Sequence, residues 1–502
     1  MTYTERIAER RKTFKHICDG DDIRRRREDS TVQIRKIEKE EQLFRRRKLA
    51  DSGSGSIGSV SIPTSCKNIH GLVESLFLHD PVLVLEASVA LRKILSIDHK
   101  PPIVEVLEFP KVLSRMKELL LNNEYPEIQL EICWCLTNVA SGTSEQTLEV
   151  VNNGFVLIFV EFLKCWNNED LQEQAIWAIA NIAGDRPEYR DMCISLGAVE
   201  ALCAIAERCI SNVSNVQLLR LSVWAISNMC RGVVNVHRAI PPVLSKLINT
   251  SNDTEVLADA SWALSYLTTN TRGVLGIFSI DRLVTLLAHP STTVHLPILR
   301  VIGNALCSDE SGLVLSHSSL LLCQLKCLLN SNRKSIRKET LWAISNVCAD
   351  SVENLQKVLN SGLMKLVAIM SSEMDVRREA VWSLCNASII GTSSQIRQMV
   401  TEFALLETLC DHLRTTHGEN ESAVLDAIYS VLVSNEEYAY IFEECGGLST
   451  IEQLLFHTNE TPIQLACNRI LDLINGETVG KENEPSHTGR SKYCTMVPPR
   501  SG

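Results

Sequence analysis

WCLTN at residues 134–138, WAIAN at 177–181, WAISN at 224–228, WAISN at 342–346 and WSLCN at 382–386 repeat one pattern: a tryptophan followed four residues later by an asparagine. Two altered copies, WALSY at 262–266 and RVIGN at 300–304, fall between the third and fourth. The first positions of the seven are 43, 47, 38, 38, 42 and 40 residues apart. Recurrence at that period marks a repeat array. It exceeds the roughly 33–34 residues of ankyrin or tetratricopeptide units and suits a unit of two or three helices.

Outward from the ladder, several copies are followed by an apolar segment broken by glycine, as in VVNNGFVLIFVEFL, CISLGAVEALCAIA, VLNSGLMKLVAIM and FEECGGLSTIEQLL, with Gly154, Gly197, Gly362 and Gly447 in the equivalent place. Glycine there permits a sharp turn between a short first helix and a longer second one. Three helices per unit, the third carrying the ladder, is the armadillo arrangement rather than the two-helix HEAT one. Weaker copies at 87–95, 425–432 and 465–474 raise the count to about ten. The expected fold is therefore an all-α armadillo-repeat solenoid.

Composition agrees with an array. A chain of 502 residues exceeds what one core organises, and 45% apolar residues with 15 Pro and 23 Gly suit a helix-rich protein. No stretch approaches the roughly 20 uncharged apolar residues of a membrane span, and MTYTERIAERRKTFKHI lacks a secretory core, so a cytosolic protein without membrane insertion is expected. The 18 Cys include no C-x2-C pair, and Cys133/Cys135 and Cys323/Cys327 lie in apolar helical text. Buried free thiols in a reducing compartment are expected rather than a metal site. Phosphate-loop, dinucleotide, metalloprotease and nucleophile-elbow motifs are absent, so no enzyme and no cofactor is expected.

The net charge of −10 conceals an asymmetry, because residues 1–50 carry +6 and the remainder −16. This separates a basic arm (1–50), a linker rich in Ser and Gly (51–66), a body (67–475) and a polar tail (476–502). An acidic body argues against direct nucleic-acid binding, which needs a basic face. It also argues against a catenin-like scaffold in signalling or adhesion, the competing reading, whose groove holds acidic partners with Lys and Arg.

The ladder itself suggests a ligand. Positions i and i+4 share a helix face, so stacking third helices would align the Trp and Asn in two rows suited to an extended chain. Asn amides can hold a ligand's backbone C=O and N–H without reading side chains, and neighbouring Trp rings would form slots for the aliphatic stems of Lys or Arg. Asp185 follows the second ladder helix, while Glu339 and Glu379 stand three residues before a ladder Trp. These acids make the expected ligand a basic peptide. Tyr266 and Arg300, interrupting the ladder, would divide it into two sites, since Arg300 would repel a ligand lysine.

The arm, RKTFKHICDGDDIRRRREDSTVQIRKIEKEEQLFRRRKLA, closely resembles the importin-beta-binding domain of the importin alpha family. ASGTSEQT (140–147), EQAIWAIANIAGD (173–185), EVLADASWALSYLT (255–268) and IFEECGGL (441–448) resemble that family too. The resemblance implies a right-handed superhelical armadillo domain acting as a nuclear import adaptor for one-cluster and two-cluster basic localisation signals. It implies a major site of Trp134, Asn138, Ser141, Gly142, Thr147, Gln174, Trp177, Asn181, Asp185, Trp224 and Asn228, with Asp185 taking the key ligand lysine. A minor site would comprise Tyr266, Arg300, Asn304, Glu339, Trp342, Asn346, Glu379, Trp382 and Asn386.

On the same resemblance, Arg11, Lys12, Phe14, Lys15, Arg24, Arg25, Arg26, Arg27, Arg45, Arg46, Arg47 and Lys48 would bind importin beta and otherwise inhibit the groove. An export receptor of the CAS type would attach at the C-terminal repeats with Glu443 and Glu444, and nuclear pore components would be met indirectly. The protein would shuttle between cytoplasm and nucleus, passing the nuclear envelope. Departures from the family pattern cluster near the minor site: GNALCSDES lacks the Gly/Thr turn, Thr269 stands where an acid is common, and Ile97 where an Arg is common.

Overall fold

The computed structural model describes residues 69–475 apart from 98–99, 212–214, 233–236, 272, 416–419 and 459. The basic arm, nearly all of the linker and the polar tail lie outside the described residues, as do all the arm residues named above. Among the described residues every regular element is a helix. They divide into two compact units, 69–343 and 344–475, the boundary falling inside the Lys334–Cys348 helix.

In the first unit the third helices run Pro81–Leu95, Pro126–Val139, Glu169–Asp185, Val216–Cys230, Thr254–Asn270 and Thr292–Leu306. Each packs against the next, and each from Pro126–Val139 onward packs also on the second helix of its own repeat. In the second unit Arg377–Ile390, Glu421–Ser434 and Thr461–Ile474 stack in the same way. With Lys334–Cys348 these make ten third helices, the number read from the sequence.

A third helix is enclosed by its neighbours and so is apolar almost all round: Ala175, Ile176, Trp177, Ala178, Ile179, Ala180 and Ile182 are consecutive or nearly so, and all are buried. Several starts are fixed by side-chain caps. Asp80, Asn168, Asn215, Asp253 and Ser291 each accept a hydrogen bond from a first-turn backbone N–H, contributing about 1 kcal/mol apiece. Asp253 also pairs with Arg220 of the preceding third helix at 2.6 Å. Burial disfavours the Asp253 charge, but the Arg220 hydrogen bond and the capped N–H groups outweigh it and hold the carboxyl below its ordinary range.

The turn between first and second helices has left-handed backbone at Gly154, Gly197 and Gly362, as the broken apolar segments imply. In the tenth repeat the left-handed residue is Gly446 rather than Gly447. Gly447 is small for a different reason: it begins the next helix, where an added Cβ would lie 2.3 Å from the Phe442 ring. Lys111 and Ala404 take the same left-handed turn without glycine, at φ 64° and 49°.

The fifteen described cysteines are free thiols, and most are buried. Desolvation pushes Cys193, Cys203, Cys348 and Cys410 up to about 12, the behaviour of small hydrophobes. Cys323 and Cys327 depart from the expectation, because the Ser318–Leu329 helix turns both to its exposed side while Leu321, Leu322, Leu325, Leu328 and Leu329 face inward. Among the described residues no single helix is long and apolar enough to cross a membrane.

Candidate peptide-binding ladder

Stacked third helices bring the ladder residues of successive repeats beside one another, and the asparagines turn out to be bonded between repeats. Asn181 Nδ2 donates to the Thr137 carbonyl at 3.4 Å and Asn228 Nδ2 to the Ala180 carbonyl at 3.1 Å. Asn304 Nδ2 donates to the Ser265 carbonyl at 3.2 Å and, in the second unit, Asn386 Nδ2 to the Ser345 carbonyl at 3.1 Å. The acceptor is each time the residue just before the ladder position of the preceding repeat. Asn138, whose neighbour is the first repeat, donates to Ser96 Oγ at 2.9 Å. The clasp uses one amide hydrogen and leaves the amide oxygen for another partner.

That oxygen is telling at Asn181. Its Oδ1 is buried without a hydrogen-bond partner among the described residues, and so is Asp185 Oδ2, one helical turn further on. The other carboxylate oxygen of Asp185 accepts from Ser144 Oγ at 2.8 Å, which fixes the rotamer. The nearest cation, Arg186 Nε, is 3.7 Å from Oδ2, beyond hydrogen-bond range. A buried acceptor left unmade costs about 1–3 kcal/mol, and more when charged, so the pair is poised for a donor from outside.

Around this pair lie other residues that the sequence assigns to the major site. Ser141 Oγ donates to the Asn138 carbonyl at 2.7 Å, and Thr147 Oγ1 to the carbonyls of Ala140 and Thr143 at 3.2 Å each, which holds the turn containing exposed Gly142. Thr143 and Gln146 close a capping box after that turn. Gln174 is buried beneath. Trp177 and Trp224 are buried too, their ring centroids 5.0 Å apart and tilted by 57°. At that separation the rings touch, so the slot expected between them is closed in this conformation. Trp134 is half-buried, with the Arg92 guanidinium 4.4 Å over its ring.

The interrupted stretch is arranged differently. Within the first unit Arg300 lies 5.3 Å over the Trp262 ring and pairs with buried Glu339 at 3.2 Å. Tyr266 stacks on Trp262 at 6.0 Å. Asn304 Nδ2 reaches Thr268 and Thr269 hydroxyls at 3.1 and 3.0 Å in addition to its clasp, so Thr269 serves as a neutral acceptor. Trp342 lies on Gly303, where a Cβ would come within 1.9 Å of the ring. In the second unit Asn346 and Asn386 are buried, and Glu379 and Trp382 half-buried on one helix. The residues assigned to the minor site are thus divided between the two units.

Sequence reasoning missed Ser144 and Arg92. Ser144 sits inside the quoted ASGTSEQT, but nothing in its spacing links it to Asp185, forty-one residues on. Pro297, three residues before Arg300 and inside its helix, was also unread; it occupies the position that Glu131, Glu339 and Glu379 hold in other repeats.

Third helices stacked within each unit, with a recurring tryptophan and asparagine ladder, define an armadillo-repeat protein. Comparisons agree. A sequence profile of the importin beta binding domain matches residues 10–89, and one of the armadillo/beta-catenin-like repeat matches residues 143–184. Importin subunit alpha-1b of Oryza sativa subsp. japonica is 35% identical over 91% of this chain and 90% of its own length. Importin subunit alpha-3 of Arabidopsis thaliana is 35% identical over 98% of this chain and 97% of its own length. A solved engineered protein, 22% identical, superimposes with a TM-score of 0.71 over 81% of this chain and 99% of that one, a likeness of fold alone.

The chain belongs to the importin alpha family. These matches support a nuclear import adaptor role, and the relatives are transport subunits rather than enzymes.

Proposed function

We propose that the chain carries proteins bearing basic nuclear localisation signals, holding the signal on the Trp/Asn ladder of the first unit and engaging importin beta through residues 1–50. The observation that carries this reading is the pair of buried acceptors, Asn181 Oδ1 and Asp185 Oδ2, unpartnered and one turn apart on the Trp177 helix. A ligand lysine supplies three donors and a full charge to the acid, and a ligand backbone N–H suits the amide oxygen. Its stem enters beside Trp177 and Trp224 once those rings part. Asn138, Ser141, Gly142, Thr147, Gln174 and Asn228 frame the same stretch.

In the second unit Glu379, Trp382 and Asn386 repeat the combination of acid, ring and amide, and take a second basic cluster. In the first, Arg300 already fills the Trp262 station. The arm's clusters, Arg11 to Lys15, Arg24 to Arg27 and Arg45 to Lys48, compete for the ladder when importin beta is absent, because an arm of +6 is tethered to a body of −16. Exposed Glu443 and Glu444, with Tyr440 and Phe456 also exposed, suit a CAS-type export receptor, and shuttling between cytoplasm and nucleus follows.

The test is calorimetry with a short peptide carrying four consecutive Lys/Arg and with its Glu counterpart, on the full chain and on the chain lacking residues 1–50. The basic peptide alone should bind, and more tightly by about 10-fold without the arm. Binding of the acidic peptide, or equal affinity with and without the arm, would contradict the reading.

A further inference from the structure

Asp185 has one resident cation, and that cation is loosely held. Arg186 Nε stands 3.7 Å from Asp185 Oδ2, with the two side chains 46% and 17% exposed respectively. Among the described residues no other cation comes within 4.0 Å of this carboxylate. Arg300 is the contrast: it meets Glu339 at 3.2 Å, and both of those side chains are nearly enclosed.

Arg186 is the joint between the Glu169–Asp185 and Pro187–Ser195 helices. Its backbone is extended, at φ −138° and ψ 151°, and Pro187 behind it favours that conformation. The backbone is therefore set and the half-exposed side chain is the part free to move. Its guanidinium lies 5.8 Å over the ring of buried Tyr189. Exposed Glu145, the residue after Ser144, is also within its electrostatic reach: the Glu145 backbone N–H and the Thr143 hydroxyl hold that carboxyl below its ordinary range, with a smaller contribution from Arg186. A guanidinium leaving Asp185 thus keeps a second acid nearby.

An exposed ion pair beyond hydrogen-bond range is weak, so a ligand ammonium that approaches Oδ2 to hydrogen-bond distance displaces it at modest cost. A ligand with no cation at this point leaves the pair as it stands, and the carboxylate is not stranded.

We infer that Arg186 is a specificity-determining residue: as the exchangeable counter-ion of Asp185, it softens the ladder's demand for a ligand cation at that one station. The inference rests on the ladder being the site for basic peptides, as proposed above, and deepens that reading by naming the side chain a ligand lysine must displace. Neutralising Arg186 makes the site both tighter for a basic run and more dependent on the Asp185 charge.

The experiment uses the full chain and a peptide of four consecutive lysines flanked by glycine. Affinities are measured by fluorescence anisotropy at low salt for wild type, Arg186→Gln, Arg186→Ser, Asp185→Asn and the double variant Asp185→Asn/Arg186→Gln, and circular dichroism melts check that each protein is folded. Both neutral variants of Arg186 should bind about 3-fold to 5-fold more tightly than wild type. In the Asp185→Asn background the same change should alter affinity by less than about 1.5-fold, because the counter-ion has then lost its acid. An equal gain with and without the Asp185 carboxylate would overturn the inference by making Arg186 a distant surface charge. Unchanged or weaker binding by the two neutral variants would overturn it as well. Failure of the lysine run to bind wild type, or binding insensitive to Asp185→Asn, would instead sink the underlying reading of the ladder.

Discussion

The stretch from Trp177 to Asp185 and the stretch from Trp262 to Glu339 share a fold unit, a helix register and an asparagine clasp, yet only one of them is electrostatically open. Around Asp185 the acid has one oxygen held by Ser144 and the other without a hydrogen bond, its nearest cation Arg186 at 3.7 Å. Around Glu339 the acid meets Arg300, which also covers the Trp262 ring. A repeat array makes the same station many times, and what a station reads is decided by whether its cation comes from the chain or from a ligand.

The comparison breaks most readily at Arg300. Arg300→Ala should destabilise the protein by about 3 kcal/mol, because it strands the buried Glu339 carboxylate, and adding Glu339→Gln should recover much of that. Urea unfolding of the two single variants and the double would measure it; additive losses would mean the pair is not coupled. Asp185→Asn should cost far less, since within the chain Asp185 meets only the Ser144 hydroxyl and, at 3.7 Å, the half-exposed Arg186.

A smaller effect is expected from Gly303→Ala. The Trp342 ring occupies the space of the new methyl, so overpacking should cost about 2 kcal/mol and lower the thermal midpoint, with no effect on a ligand held at Asp185. Gly184, seven residues after Trp177 in the open stretch, has only the Asn228 amide 3.5 Å from an added Cβ. Gly184→Ala should therefore be nearly neutral in the same melt. The smallest effect belongs to Ser144→Ala. It frees one oxygen of Asp185 without removing charge, and should weaken a single-cluster basic peptide about 3-fold in a fluorescence titration while leaving the melting temperature unchanged.

Much of this was legible in the sequence because a solenoid writes its fold as a period. The Trp-to-Asn spacing and the recurring glycines fix the repeat, its three helices and the number of units, and the acids beside the ladder suggest the sign proposed for the ligand. What the sequence could not show depends on which residue of the neighbouring repeat lies opposite. The asparagine clasps fall on backbone carbonyls, which carry no sequence signature. Arg92 belongs to a repeat with no tryptophan in its ladder position, so nothing marks it as a neighbour of Trp134. Gly446 and Gly447 are indistinguishable as letters, although one is needed for its backbone angle and the other for its lack of a side chain. Cys323 and Cys327 are spaced like core residues of a helix, yet both lie on its exposed side.

The account turns on Asp185, whose Oδ2 has no hydrogen-bond partner among the described residues. Asp185→Lys, compared with wild type by calorimetry against a peptide with a single run of four Lys/Arg, should lose about 100-fold in affinity, near 2.7 kcal/mol, with the melting curve unchanged. Affinity within 2-fold of wild type would contradict it.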